Sequence, residues 1–143
     1  MLVAVAIITV SILAAMAVAQ KSLYVARQAL HSTQAAFLLE EGAEAVRVLR
    51  DNGWSNISSL SPNTTYYPSF SGTWTLSTTP VSVGSFTRTV TVTNVNRDSS
   101  SQDIALTGTD DPQTKLITVT VAWTEGGNTK TKTLSFYVLD IFS

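Results

Sequence analysis

The first nineteen residues of the chain are apolar almost without interruption. The segment MLVAVAIITVSILAAMAVA contains no charged side chain, and its only polar side chains are those of Thr9 and Ser11. About 20 apolar residues in an α-helix span the hydrocarbon core of a bilayer, and a hydroxyl can bond to a carbonyl of its own helix. The pattern therefore predicts an apolar helix of membrane length over residues 1–19.

A cleaved secretory signal is the alternative interpretation of this run. Such signals have a basic segment first, then a shorter apolar core and a cleavage site between small residues. No basic segment precedes the run, although AVAQ at residues 17–20 has the form of a cleavage site. The nearest basic residues, Lys21 and Arg27, follow the run, and the positive-inside rule would then place the C-terminal part in the cytoplasm.

The helix is predicted to continue to about residue 52. Residues 21–51 contain no proline and are rich in good helix formers. DNG at residues 51–53 predicts the C-terminus, with Gly53 as a left-handed cap. The predicted first domain is therefore a helix over 1–52, apolar over 1–19 and amphipathic over 20–52. Its apolar stripe follows the i, i+3, i+4, i+7 spacing at Ala35, Leu38, Leu39, Gly42, Ala45, Val46 and Leu49.

Four later stretches alternate apolar and polar residues, as half-buried strands do. Residues 55–72 and 97–115 are predicted to be polar loops, and Gly126 with Gly127 predicts a hairpin with a tight primed turn. The fold class is therefore predicted as α+β, with a long N-terminal helix packed on a four-stranded antiparallel sheet in a head domain over 53–143. The alternating stretches are WTL at 74–76, FTRTVTVTNV at 86–95, KLITVTVAWT at 115–124 and TKTLSFYVL at 131–139.

Composition narrows the chemistry that the chain can perform. Because there is no cysteine, the chain cannot form disulfides, thiolate metal sites or a thiol nucleophile. The net charge of −1 indicates no basic surface for nucleic acid. No Ser-His-Asp arrangement, metal-ligand cluster or phosphate-binding loop is recognisable, so we expect neither an enzyme nor a bound cofactor.

The predicted loop at 97–115 holds four aspartates, Asp98, Asp103, Asp110 and Asp111. Calcium prefers carboxylate oxygens, which makes Asp103, Asp110 and Asp111 candidate calcium ligands. Their spacing matches no EF-hand loop, so a solvated polar loop is the simpler interpretation.

Two asparagines and one histidine are further candidates with plain alternatives. Asn56 and Asn63 each begin an N-x-Ser/Thr triplet, the pattern of N-glycosylation. Such triplets arise by chance in a chain rich in serine and threonine. His31 has no second histidine or paired acid nearby, which favours a solvated or packed side chain over a ligand.

The polar face of the amphipathic helix carries acidic and basic residues at pairing distances. Glu44 and Arg47 are at the i, i+3 spacing, and Arg47 and Asp51 are at the i, i+4 spacing. Glu40, Glu41 and Glu44 are interpreted as a hydrated helix face, because no partner group for acid–base chemistry is recognisable from the sequence.

With these elements in place, the chain resembles the type IV pilins and the related pseudopilins of secretion systems. Members of this family have a long N-terminal helix, apolar and then amphipathic, packed on an antiparallel sheet. LVAVAIITVSILAAMAVA is similar to the N-terminal segment of the family, and ITVTVAWTEGGNTKTKTLSFYVL is similar to the last hairpin of some minor pilins. The first similarity covers roughly residues 1–50, whereas the similarity of the sheet is architectural.

The resemblance implies a structural subunit of an extracellular bacterial type IV pilus or related filament, serving attachment, motility or DNA uptake. The implied partners are identical or homologous pilin subunits in a helical homopolymer, and the inner membrane before assembly. Two alternatives are a membrane-anchored β-domain binding module that never polymerises and a type II secretion pseudopilin. The implied filament-assembly residues are Leu2, Val3, Val5, Ile7, Ile8, Val10, Ile12, Leu13, Met16 and Val18.

The family pattern also bears on what precedes Met1. Members carry a short basic leader that is cut after glycine, and a glutamate whose aligned position is immediately before Met1. Three explanations are open for the missing glutamate: a truncated product or incomplete gene prediction, an omitted N-terminal portion, or a mature end at Met1. In pilins this glutamate is thought to pair with a neighbour's N-terminal amine. Without it a charged amine would lie unpaired in an apolar core, so we expect this chain alone to assemble poorly.

Overall fold

The computed structural model describes residues 2–141 of the chain, with side chains from residue 3 onward. Within these residues the chain forms two helices and seven strands. The helices are α1 (Leu2–Asp51) and α2 (Ser55–Ser58). The strands are β1 (Thr65–Phe70), β2 (Trp74–Ser77), β3 (Ser82–Val83), β4 (Phe86–Arg97), β5 (Ile104–Ala105), β6 (Thr109–Glu125) and β7 (Asn128–Leu139).

The long helix that the sequence predicts is confirmed. α1 is continuous, including residues 14–22, where the apolar run gives way to polar residues. Beyond its end, the Gly53 N–H donates to the carbonyl oxygen of Arg50 at 3.0 Å. Gly53 has a φ of +148°, a value that favours glycine but is more extended than the predicted left-handed cap.

Two compact units divide the chain between Gln34 and Ala35. In the first unit, every side chain from residue 3 to residue 30 is exposed. The second unit contains the rest of α1, the short helix α2 and the sheet. The domain boundary predicted from the sequence was instead at residue 52, where the helix ends.

The apolar stripe predicted on α1 is buried in the second unit. Ala35, Ala45 and Val46 have no exposed surface, and Leu38 and Leu39 are less than a tenth exposed. This part of the helix forms one wall of the hydrophobic core. The other wall consists of inward-facing sheet residues, namely Phe86, Val90, Val92, Ile117, Val119, Val121, Trp123 and Val138.

The sheet is antiparallel, but it has seven strands, so the prediction of four strands was wrong. The main path runs in the order β2-β1-β4-β6-β7, and β3 and β5 each pair with β4. The four alternating stretches correspond to β2, β4, β6 and β7. Strands β3 and β5 contain two residues each, which is too short for an alternating pattern to be recognised.

Residues 55–72, which were predicted to be a loop, contain α2 and β1. β1 pairs with β4 only at Thr65 and Tyr66, and then with β2 from Tyr67 onward. Pro68 lies beyond the part of β1 that pairs with β4, so its missing N–H interrupts no ladder to that strand. A short strand that changes partners explains why this polar, proline-containing segment gives no strand signal.

Residues 97–115, also predicted to be a loop, contain β5 and the beginning of β6. The register between β4 and β6 shifts between Asn94 and Val95, which leaves residues 112–114 without partners on β4. Pro112 lies in this irregularity, where a residue without an N–H is tolerated. Before this irregularity, residues 109–111 of β6 pair with β4 again. The strand therefore begins at Thr109 rather than near residue 115.

The predicted hairpin between the last two strands is confirmed. Glu125 pairs with Asn128 at its tip. Gly126 and Gly127 have φ values of +57° and +78°, and two consecutive positive φ values are what a type I′ turn requires.

Candidate functional site

The exposed segment, which we define as residues 3–30 of α1, is the largest unburied apolar feature that the structure describes. Nine of the ten implied filament-assembly residues lie in it, each 55–73% exposed. The tenth, Leu2, lies in α1, but its side chain is outside the described residues. The nine are Val3, Val5, Ile7, Ile8, Val10, Ile12, Leu13, Met16 and Val18.

The two polar side chains of the apolar run are satisfied within the helix. The Thr9 hydroxyl donates to the Val5 carbonyl oxygen at 2.7 Å, and the Ser11 hydroxyl donates to the Ile7 carbonyl oxygen at 2.8 Å. These bonds to the preceding turn are those expected of hydroxyls in an apolar helix. The run therefore presents no unsatisfied hydroxyl to an apolar environment.

Among the described residues, one helix is long and apolar enough to cross a membrane, and it is α1. A signal sequence near an N-terminus satisfies the same criteria of length and composition. A helix that is apolar on all sides requires cover on all sides, either by lipid or by protein. The need for apolar cover is therefore the property of the exposed segment that bears on its function.

Small side chains shape the C-terminal part of the exposed segment. A shallow groove lies along the helix here, and its lining is mostly aliphatic or small. Small residues let the backbone of another helix approach closely. The lining residues are Val18, Lys21, Ser22, Val25, Ala26 and Ala29.

The charged face of α1 forms one of its two predicted ion pairs. Arg47 lies 3.5 Å from Glu44, as the i, i+3 spacing predicts. Asp51 instead pairs with Arg50, at 2.7 Å, so its predicted pairing with Arg47 is wrong. Both observed pairs lie at least partly in solvent, where an ion pair contributes about 0–1 kcal/mol to stability.

An ion pair between α1 and the sheet was missed by sequence reasoning. Arg88 of β4 is only 3% exposed, and its Nη1 lies 3.0 Å from Oε2 of Glu41. The guanidinium also lies 5.3 Å from the centre of the Trp74 ring, and Nη2 donates to the Pro68 carbonyl oxygen at 3.5 Å. A buried arginine needs such partners, because an unpaired buried charge is costly.

Asp98 organises the turn that follows β4. Its Oδ1 accepts hydrogen bonds from the Ser100 hydroxyl, the Ser100 N–H at 2.8 Å and the Ser101 N–H at 2.9 Å. These bonds, of which that from the Ser100 hydroxyl has the largest effect, lower the pKa of Asp98 from 3.8 to about 2. The carboxylate is therefore bound within its own turn rather than presented to a ligand.

Replacing Ser100 with alanine is expected to raise the pKa of Asp98 from about 2 towards its ordinary value of 3.8. The native hydrogen bonds favour the ionised form, so they stabilise the fold above about pH 4, and this contribution is lost as pH falls through about 2. Carboxyl carbon NMR shifts measured against pH give the pKa directly. Ser99→Ala is the matched control, and an unchanged Asp98 pKa in Ser100→Ala would contradict this account.

Asp111 is held by a second local network. Burial raises the pKa of its carboxyl, but hydrogen bonds from Thr114, Arg97 and the Gln113 N–H outweigh this effect, and the net result is a lowered pKa. Nε of Arg97 lies 2.6 Å from Oδ2 of Asp111, and Nη1 donates to the carbonyl oxygen of Gln102 at 2.9 Å. This arginine therefore ties the connection between β4 and β6 to both strands.

The structure places the three candidate calcium ligands in different local surroundings. Asp111 is engaged by Arg97, and Asp110 pairs with Asn96 across the sheet. Asp103 accepts a hydrogen bond through its backbone carbonyl, from the Asp98 N–H. Among the residues that the structure describes, no group of three or more His, Cys, Asp or Glu side chains is arranged to hold a metal ion.

The two candidate glycosylation sites lie in the second unit and take part in local structure. The Asn56 side chain donates to the carbonyl oxygen of Leu49 at 3.0 Å. Asn63 has a φ of +59°, and its side-chain oxygen accepts from the Thr93 hydroxyl at 3.3 Å. Both are exposed. His31 is half-buried on α1 in the first unit.

Comparisons with protein-family models, with curated proteins and with solved structures found no significant match to this chain.

Proposed function

We propose that this chain is a structural subunit of an extracellular bacterial type IV pilus or a related filament. One observation carries the proposal: a single unbroken helix is exposed over residues 3–30 and buried along its apolar stripe from residue 35 onward. The second part is the core helix of a folded head. Residues 3–19 of the first part are apolar except for Thr9 and Ser11, and their side chains are exposed.

The exposed apolar residues require cover, and the size of the penalty supports assembly. Each large apolar side chain contributes about 1.5–3 kcal/mol when fully removed from water. The nine in the run retain more than half of their exposure, so leaving them in water costs on the order of 10 kcal/mol. A subunit held first in the inner membrane and later in a bundle of identical helices avoids this cost in both locations.

The transfer from lipid to a helical bundle is governed by packing rather than by hydrophobicity. Lipid tails and neighbouring helices are both apolar, so close contact between helices decides the balance. Small residues throughout the run allow that contact, and the internally bonded hydroxyls of Thr9 and Ser11 do not oppose it. The small residues are Ala4, Ala6, Ala14, Ala15, Ala17 and Ala19.

In this proposal the partners are identical or homologous subunits. The precursor resides in the inner membrane, and the product is a filament on the cell surface that serves attachment, motility or DNA uptake. The chain acts as a building element rather than as an enzyme. A pseudopilin of a type II secretion system is a variant of the same proposal.

Cysteine cross-linking tests polymerisation, because the chain has no cysteine of its own. A chain with one introduced cysteine, at Ile8, can form at most a covalent dimer. A chain with cysteines at both Ile8 and Met16 can link several subunits if their helices are bundled. We expect a ladder of multimers from the double variant in oxidised native cells, and dimers only from Ile8→Cys.

The alternative is an anchored β-domain binding module that never polymerises. A ladder no longer than a dimer in the double variant, with all protein recovered from membranes, would support that alternative and overturn the filament. Intact mass and N-terminal sequencing of protein sheared from cells provide an independent check. Thr79→Cys with Ser99→Cys, both exposed in the second unit, is the control for random collision.

A further inference from the structure

The outward face of the sheet is lined by hydroxyl groups. We define the hydroxyl face as the outward positions within residues 86–94 of β4, 115–125 of β6 and 128–138 of β7, none of which is buried. Eleven of these fourteen positions are threonine or serine. They are Thr87, Thr89, Thr91, Thr93, Thr118, Thr120, Thr124, Thr129, Thr131, Thr133 and Ser135, and the other three are Leu116, Ala122 and Tyr137.

The register of the strands arranges these groups in rows across the sheet. Thr89, Thr120 and Thr133 form one row. The next row continues from β1 through four strands, namely Thr65, Thr91, Thr118 and Ser135. Neighbouring strands lie about 4.8 Å apart, and successive outward residues on one strand lie about 6.7 Å apart, so the hydroxyls form a regular grid.

The hydroxyl face carries no charge, although the same strands do contain charged residues. Within the ranges that define the face, the charged residues all occupy the opposite, inward set of positions: Arg88, Lys115, Glu125, Lys130 and Lys132. The other charged residues of these strands, Arg97, Asp110 and Asp111, lie beyond the register shift between β4 and β6, outside the hydroxyl face. Three of the inward residues, Arg88, Lys115 and Glu125, are at most 7% exposed. Burying charge is costly, whereas an outward charge costs little. The strand propensity of threonine accounts for hydroxyls facing outward, but not for this reversal of the usual charge distribution.

Several central hydroxyls are available to a ligand. Among the described residues, the side-chain hydroxyls of Thr91, Thr120 and Thr133 make no hydrogen bond to protein, whereas Thr118 and Ser135 bond to each other at 3.0 Å. Each hydroxyl can donate one hydrogen bond and accept others. At one end of the face, Tyr137 is 47% exposed and lies opposite Leu116, which adds an aromatic surface beside the grid.

From this face we infer a docking site for a neutral polysaccharide. The ligand is neutral because the face carries no charge that would recognise an ionic partner, and the absence of basic residues opposes nucleic acid binding. A glycan presents hydroxyls along its whole length, which can pair with the grid. Its C–H edges can rest on the threonine methyls and on the ring of Tyr137.

The dimensions of the face favour a single extended chain over a protein. Three strands and five outward positions span about 400 Å², whereas a stable protein interface buries about 800 Å² on each partner. The strands also turn by roughly 20–25° from one to the next, so a flat crystalline surface would follow only part of the grid. A flexible, soluble glycan can follow the twist.

Binding is tested with the full chain in phospholipid nanodiscs, since detergents with sugar headgroups would compete. The probes are immobilised neutral glucans, mannans, galactans and chitin oligosaccharides, together with carboxymethylated glucan as an anionic version of one backbone. We expect retention on at least one neutral glycan, weaker retention on its anionic form, and at least a tenfold loss of affinity in Thr120→Glu. Thr120→Ser, which keeps the hydroxyl, should remain within threefold of the native chain.

The control is Thr79→Glu, which adds the same charge at an exposed residue outside the face and should leave retention unchanged. Thermal unfolding establishes that each variant is folded. No retention on any neutral glycan overturns the inference, as does an equal loss in Thr79→Glu. Concentration-dependent association of the nanodisc-bound chain, abolished by Thr120→Glu without any glycan retention, would assign the face to a second copy instead. Neither result bears on filament assembly, which rests on α1.

Discussion

Replacing Val10 with lysine is expected to reduce the partition constant of the chain between membrane and water by about 100-fold or more. Val10 lies in the middle of the apolar run and is 67% exposed. A lysine near the centre of a membrane helix costs about 2.5–3.5 kcal/mol, and the favourable transfer of the valine is lost as well. Each 1.4 kcal/mol corresponds to a factor of ten in partitioning.

The measurement is the ratio of membrane-bound to released chain after an alkaline carbonate wash. Gln28→Lys is the matched control, because it places the same charge on an exposed position of α1 beyond the apolar run. The control should remain as membrane-bound as the native chain. Undiminished membrane retention of Val10→Lys would mean that this run does not span the bilayer.

The same variant separates the role of the exposed segment from the stability of the head. Val10 is not part of the hydrophobic core, whose α1 members begin at Ala35. Thermal unfolding of the head should therefore be unchanged in Val10→Lys. A loss of both membrane retention and head stability would indicate general misfolding rather than a specific effect on partitioning.

The accuracy of the sequence-based predictions follows the strength of the periodic patterns. The stripe from Ala35 to Leu49 has the helical period, and its residues are buried or half-buried. The alternating stretches of β4 and β6 were predicted as half-buried strands, and each buries one face, with Val90 and Ile117 fully buried. In these segments the local pattern and the tertiary fold agree, so one face of each element could be assigned from the sequence.

The missed strands are those whose formation depends on neighbours. β1 pairs with β4 over its first two residues and with β2 over the rest, and Pro68 lies beyond the part that pairs with β4. The first residues of β6 are polar and include Pro112, yet they pair with β4 beyond the register shift. A local pattern contains no information about such partners, so polar composition was interpreted as loop in both segments.

The buried ion pair of the head could not be predicted from a local pattern either. Alternation predicted one buried and one exposed face for β4, but nothing in the pattern predicted Arg88 on the buried face, since charged residues are rarely buried without partners. Its partner, Glu41, lies on a different element and far away in sequence. Ion pairs of this kind depend on tertiary placement, and no local spacing rule identifies them.

Replacing Glu41 with alanine is expected to destabilise the head by about 2 kcal/mol. The substitution leaves the guanidinium of Arg88 buried without its counter-charge, and breaking a buried ion pair costs about 3–5 kcal/mol. Glu41 itself is half exposed, with 49% of its side chain accessible, so water replaces part of the interaction and reduces the loss. Urea unfolding, monitored by circular dichroism, measures the change in the free energy of unfolding.

Removing the other partner should have a smaller effect. Arg88→Leu eliminates the buried charge, and the carboxylate that it leaves without a partner, Glu41, is half exposed and can be hydrated. The contact with Trp74 is lost, but an apolar side chain at this position adjoins the buried Val90 and Val119 side of the core. We expect a change of less than about 1 kcal/mol, because an ion pair with one solvated partner contributes little.

The double variant distinguishes an ion pair from two independent contributions. If Glu41 stabilises the head by neutralising Arg88, then Glu41→Ala should have almost no effect in the Arg88→Leu background. Glu44→Ala is the control, because it removes the exposed partner of Arg47 and should cost less than about 0.5 kcal/mol. Additive losses from Glu41→Ala and Arg88→Leu would show that the guanidinium is stabilised by its other neighbours, Trp74 and the carbonyl of Pro68, and that Glu41 acts through the helix alone.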